Sequence, residues 1–142
     1  MNPTDLSALV MRLLVAAHML SGYPMPANPP EVELKPHAWL EKQACTTPCP
    51  VYGWYARTGT IYLDDGLDIQ TDVFARSVLV HELVHFLQGQ TDRAGAKLDC
   101  SVQDLREREA YHIQYRWLAR QAAPPEAYMK LGLPPPPGLC AQ

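Results

Sequence analysis

The sequence predicts a small α+β domain: a short β-hairpin or sheet packed on one apolar helix, with a second, acid-bearing helix beneath it. Three observations predict it. Val51-Tyr52-Gly53-Trp54-Tyr55 and Thr60-Ile61-Tyr62-Leu63 are short, aromatic and β-branched, and turn residues bound them. A run from about Thr71 to Gly89 is apolar at helical spacing, and so, in part, is a run from Ser101 to Ala122. At 142 residues and 47% hydrophobic, the chain has the size and composition of one domain with a real core.

Taken in order, residues 1–22 predict an N-terminal helix. Leu6, Leu9, Val10, Leu13, Ala17 and Leu20 recur at helical intervals after the capping candidates Asn2 and Thr4. The stretch Leu13 to Ala17 has the look of a signal-peptide core, but Asp5 precedes it, His18 interrupts it and no small-x-small cleavage site follows. No continuous apolar run approaches the roughly 18 residues that span a bilayer, so no membrane span is expected. Residues 23–50 form a proline-rich connector, since Pro24, Pro26, Pro29, Pro30 and Pro36 each lack a backbone donor. Residues 51–122 form the core unit, with Arg57-Thr58-Gly59 at the hairpin turn and Asp64-Asp65-Gly66 ending the second strand. Ser101 is the expected cap of the last long helix, with Asp104 completing an approximate capping box. Residues 123–142 read as a surface tail, extended polyproline from Pro134 to Pro137.

Charge and cysteines narrow the partners. The formal net charge is −3, and no basic stripe is interleaved with aromatics, which weighs against nucleic acid. Arg106, Arg108, Arg116 and Arg120 read as solvated helix charges. The cysteines are Cys45, Cys49, Cys100 and Cys140. A local Cys45–Cys49 bridge would leave Cys100 for Cys140, tethering the tail. Such bridges imply an exported or periplasmic protein; free thiols imply a cytoplasmic one.

The chemistry concentrates in His81-Glu82-Leu83-Val84-His85. Residues four apart share a helix face, so His81 and His85 can put two imidazole nitrogens on one metal ion. Glu82 leaves the helix about 100° round from His81 and can act as a base toward water rather than as a ligand. Three ionisable groups amid Leu79, Val80, Phe86 and Leu87 are costly to bury without a role. A buried helix with two histidines satisfied by carbonyls or water is the plainer alternative. The third ligand is expected on the next helix, from Glu107 or Glu109. Glu107 shares a face with Ala110, Tyr111, Gln114 and Leu118. Glu109 shares one with Leu105, Ile113 and Trp117, so amphipathicity alone would choose Glu109.

Glu107-x-x-Ala110-Tyr111 following the histidine motif resembles the third-ligand helix of gluzincins, metallopeptidases whose zinc is held by two His and a Glu. Tyr111 stands where several members have Asp. The resemblance covers about residues 51 to 120. It implies a minimal, one-domain zincin-like fold, with Zn2+ held by His81, His85 and Glu107 and with Glu82 as general base. Tyr111 or His112 would steady the oxyanion. It also implies a peptide or protein substrate, lying along an edge strand for which Thr60 to Leu63 is the candidate. The competing expectation is a non-catalytic, zinc-stabilised module binding a protein through its aromatic hairpin. A third is a metal-dependent amidase.

Overall fold

The structure is a computed structural model and describes residues 1–45, 51–92 and 98–132. Its elements are α1 (Pro3–Ser21), β1 (Val32–Lys35), α2 (His37–Ala44), β2 (Gly53–Tyr55), β3 (Ile61–Asp64), α3 (Val73–Gly89), α4 (Cys100–Arg120) and α5 (Pro125–Leu131). The expected α+β class holds: helices pack around one small mixed sheet.

The hairpin forms as its residues dictate. Gly59 takes φ 97°, and Ala56 and Thr60 close the turn with a 2.9 Å bond from Ala56 N to Thr60 O. Past β3, Asp64 Oδ1 accepts from Gly66 N at 2.8 Å, which bends the chain out of the sheet. The sheet order is β1-β3-β2, with β1 parallel and β2 antiparallel to β3. β3 is therefore the central strand, paired on both sides, and the expectation that Thr60 to Leu63 offers a free edge is corrected. The edge that faces α3 is β2.

Proline did not exclude structure from residues 23–50. β1 and α2 both lie there, with Pro30 before the strand and Pro36 as the N-cap of α2. Proline disrupts element interiors, whereas at element boundaries its missing donor is not needed. The same reason accounts for α5, where a tail was expected. Pro125 occupies its first turn, and Ala127, 4% exposed, joins the core. The Pro134–Pro137 stretch lies outside the described residues.

α3 runs through the middle of the molecule and is buried on nearly every face. Asp72 starts it, accepting from Phe74 N and Ala75 N at 3.3 Å each. It ends at Gly89, but not through a left-handed cap. A side chain at Gly89 would meet the Tyr55 hydroxyl at 2.4 Å, so glycine here makes room for the hairpin. α4 begins one residue earlier than Ser101. Its cap is Asp99, whose carboxylate accepts from Ser101 N at 2.9 Å. Among the cysteines, Cys100 carries a free thiol; Cys49 and Cys140, the expected partners of Cys45 and Cys100, lie outside the described residues.

α1 is capped as expected, Asn2 Oδ1 accepting from Asp5 N at 2.9 Å. By length and composition alone, this 19-residue helix is apolar enough to cross a bilayer, which a search for uninterrupted apolar runs does not register. Leu9, Val10, Leu13, Leu14, Ala17 and Leu20 bury in the core against α3 and α4, while Met11, Val15 and Met19 are exposed.

That two-sided arrangement predicts unequal costs. Leu14→Ala, at a site 0% exposed, should destabilise by about 2–5 kcal/mol in chemical denaturation. Met19→Ala, 69% exposed, should stay within about 0.5 kcal/mol. Equal effects would mean that α1 is not docked on the core.

Candidate metal centre

α3 carries His81, Glu82 and His85 into the interior, and α4 brings Glu107 against them. His81 Nε2 lies 2.7 Å from Glu107 Oε1, and His85 Nε2 lies 3.3 Å from Glu107 Oε2. The two imidazole centroids stand 4.9 Å apart with the rings at 76°, and both turn Nε2 toward the one carboxylate. His81, His85 and Glu107 could hold a metal ion, each offering a ligand atom within 4.8 Å of the others.

The ring tautomers are determined by their neighbours. His81 Nδ1 is 2.9 Å from Gln114 Oε1, and Gln114 Nε2 is 3.0 Å from Ser77 Oγ. Ser77 already donates its proton to Phe74 O at 2.6 Å, so its oxygen must accept, which fixes the Gln114 amide with Oε1 toward the histidine. On the other side, His85 Nδ1 is 2.8 Å from Gln88 Oε1. Gln88 Nε2 faces two acceptors, Arg106 O at 3.0 Å and Glu109 Oε1 at 2.9 Å, so it too can have only one orientation. Both histidines therefore donate from Nδ1 and turn Nε2 toward Glu107. That is the state a metal-ligating imidazole requires.

Set against known proteins, the chain matches no family model, no curated protein and no solved structure. The centre is therefore read from its own geometry.

Glu82 is 7% exposed and lies beside the ligand cluster, against β2. The Tyr55 backbone N–H bonds its carboxylate. Gly53 lets the strand approach: a Cβ there would stand 3.1 Å from Glu82 Cγ and 3.2 Å from Glu82 Oε2. Burial raises the Glu82 pKa above the ordinary carboxylate value, and the nearby His81 and His85 charges oppose that rise. A carboxyl tuned upward in this way is a better proton acceptor than one in water.

Burial also acts on Glu107, but its bonds to His81 and His85 outweigh it and hold the carboxyl well below the usual range. His85 shows the reverse balance. Burial lowers its pKa, yet the bond to Glu107, the Glu82 and Glu107 charges and the Gln88 bond together raise it to about 9. Tyr111 packs edge-on against the His81 ring at 4.6 Å. Burial, then the Glu107 and Glu82 charges, push its hydroxyl up to about 12, so it remains a donor.

Glu109, the acid that amphipathicity favours, is not in the cluster. Its carboxylate instead accepts from Gln88 and from the Tyr23 hydroxyl. The amphipathic argument relied on Leu105 facing inward, and Leu105 is 68% exposed. Ile113 and Trp117 on that face are buried, but so are Ala110, Gln114 and Leu118 on the face Glu107 shares. His112 is exposed. Sequence reading missed Gln88, Gln114 and Ser77 as functional residues. The available signal was polarity: all three are side chains that apolar helix faces do not otherwise admit. The Glu107 side chain is 31% exposed against 9% for His81, so the group opens to solvent on the α4 side. A recess of about 430 Å³ beside Pro29, Thr58 and Phe86 is lined by none of the three cluster residues.

A metal ion held by this group would have to displace the His85 proton. With a pKa of about 9, the metal-free protein holds that proton at neutral pH, and its stabilising pairing is complete below 6.5 and lost as pH rises through about 9. Metal affinity should therefore climb with pH, about tenfold per unit below that value, and level off above it. Competition against a chelator across pH measures this; a flat profile would contradict the proton-loaded state of His85.

Proposed function

We propose that the protein is a zinc-dependent hydrolase, acting most readily as a metallopeptidase on peptide bonds. The observation that carries this reading is Glu82, a buried carboxyl held by a strand backbone directly beside a His–His–Glu ligand set. A structural metal site has no use for such a base, which weighs against the non-catalytic binding module. The donor set suits zinc: two neutral imidazole nitrogens and one carboxylate oxygen are the usual three protein ligands of a catalytic site that leaves a position open. The resemblance of His81-Glu82-Leu83-Val84-His85 and Glu107-x-x-Ala110-Tyr111 to gluzincins supports the peptide substrate.

When bound by His81, His85 and Glu107, zinc supplies Lewis acidity toward water and a substrate carbonyl. The chain's own residues do the rest. Glu82 accepts the proton of the attacking water and, once the tetrahedral adduct has formed, returns it to the departing amine nitrogen as the C–N bond breaks. Its bond to Tyr55 N–H and the bare Cα of Gly53 fix the carboxylate, so little reorganisation accompanies the transfer. Tyr111, protonated throughout the neutral range, donates to the oxygen that gains negative charge in the adduct. Gln88 and Gln114 keep both imidazoles in the ligating tautomer.

Four measurements, on the wild type and three variants, test the reading. Purified protein should contain close to one zinc per chain. His81→Ala should remove it. Glu82→Gln should retain the metal while lowering peptide hydrolysis by about 10²–10⁴-fold, the range for a general base. Gly53→Ala should keep the metal and lose activity in part, because the added methyl displaces the base. A zinc-loaded wild type that cleaves no member of a diverse peptide library would overturn the peptidase; cleavage of non-peptide amides alone would reassign it as an amidase.

A further inference from the structure

His85 is held by more than its immediate neighbour. Gln88, 1% exposed, has both amide hydrogens committed, to Arg106 O and Glu109 Oε1. Glu109 Oε1 also accepts from the Tyr23 hydroxyl. Tyr23 is itself pinned to the end of α1. Its N–H donates to Ser21 Oγ at 3.2 Å, its carbonyl lies 2.5 Å from His18 Nδ1, and Gly22 turns the chain with φ 80°. An uninterrupted line of hydrogen bonds thus runs from the end of α1, across α4, to the imidazole.

We propose that Tyr23, Glu109 and Gln88 form a positioning chain for His85, so that the end of α1 belongs to the metal centre without touching the metal. The chain rests on the metal-site reading above and adds residues to it. Its logic is geometric. The Gln88 amide could rotate about its last bond, and an amide turned the other way would present N–H groups to His85 Nδ1. The imidazole would then have to move its proton to Nε2, the atom needed for the metal. The Arg106 carbonyl and the Glu109 carboxylate can only accept, and Tyr23 holds the carboxylate in place, so the amide is held against turning from both hydrogens. The partner chain at His81 ends in Ser77 on α3 itself; at His85 it reaches a different element. The metal centre is in this way tied to the docking of α1.

The test uses the full chain, with Zn2+ and Co2+ as the probes. Tyr23→Phe and Glu109→Ala should still bind one ion, but about 10–100-fold more weakly, as loss of a partner behind a ligand generally costs. Their Co2+ complexes should show altered visible bands and should release the ion faster to a chelator. Glu109→Gln keeps an oxygen able to accept both bonds and should recover most of the affinity. A merely structural role would lower the melting temperature of the metal-free variants and leave the Co2+ spectrum unchanged, which would overturn the proposal. So would complete loss of metal in Glu109→Ala to the level of Glu107→Ala, because Glu109 would then be a ligand. A wild type that takes up neither ion would instead sink the metal-site reading, and the chain with it.

Discussion

Burial of three ionisable side chains in the most enclosed helix is the constraint on which this structure depends. A charged or polar group inside a low-dielectric interior is tolerated only when its bonding capacity is met. α3 places His81, Glu82 and His85 there within five residues, and no buried side-chain polar atom among the described residues is left unpartnered. Meeting that demand draws in most of the fold. β2 contributes a backbone N–H and a bare Cα to Glu82. α4 contributes Glu107 and Gln114. α3 supplies Ser77 and Gln88 from its own length, and Tyr23, two residues past α1, closes the far end through Glu109. The sheet is small, but its edge strand supplies a free N–H that the interior of a helix could not give.

The centre was legible in the sequence to the extent that local rules decide it. Spacing of four placed His81 and His85 on one face, and that spacing survives any packing. Asn2 was readable as a cap because capping is local chemistry, though the same rule chose Ser101 over Asp99 for α4. The choice between Glu107 and Glu109 was not local. Both lie two residues apart on one helix, and the side that packs was set by where α3 and α1 sit, which left Leu105 exposed. The resemblance to gluzincins singled out Glu107 where amphipathicity would have picked its neighbour. β1, α2 and α5 were missed because prolines were read as describing whole stretches rather than their own positions. The edge strand was misplaced for a related reason: with β1 unseen, β3 had no second neighbour.

The supporting glutamines show what single-sequence reasoning overlooks. Gln88 stands three residues after His85, and Gln114 stands seven after Glu107, each on the face of its motif residue. Nothing about glutamine marks it as a partner of histidine. A neutral amide nevertheless does what a carboxylate would do at Nδ1 with one difference: it orients the ring without adding a full charge. Two carboxylates there, together with Glu82 and Glu107, would crowd four anions around one cluster and raise the cost of the metal-free protein. In place of one of them stands Gln88, with the charge of Glu109 set one residue further back.

The metal-free state is then understandable as the same cage holding a proton. Glu107 bridges the two Nε2 atoms, and the proton retained on His85 gives that carboxylate a cation to face. The ligand atoms are thereby held close together, with each ring oriented by its Nδ1 partner. A dication bound between these groups would exchange with one proton and need not reorganise the rings, because their orientation is set at Nδ1. Glu82 takes no part in that exchange. It is fastened to β2 rather than to the ligands, which is the arrangement the proposed base would need.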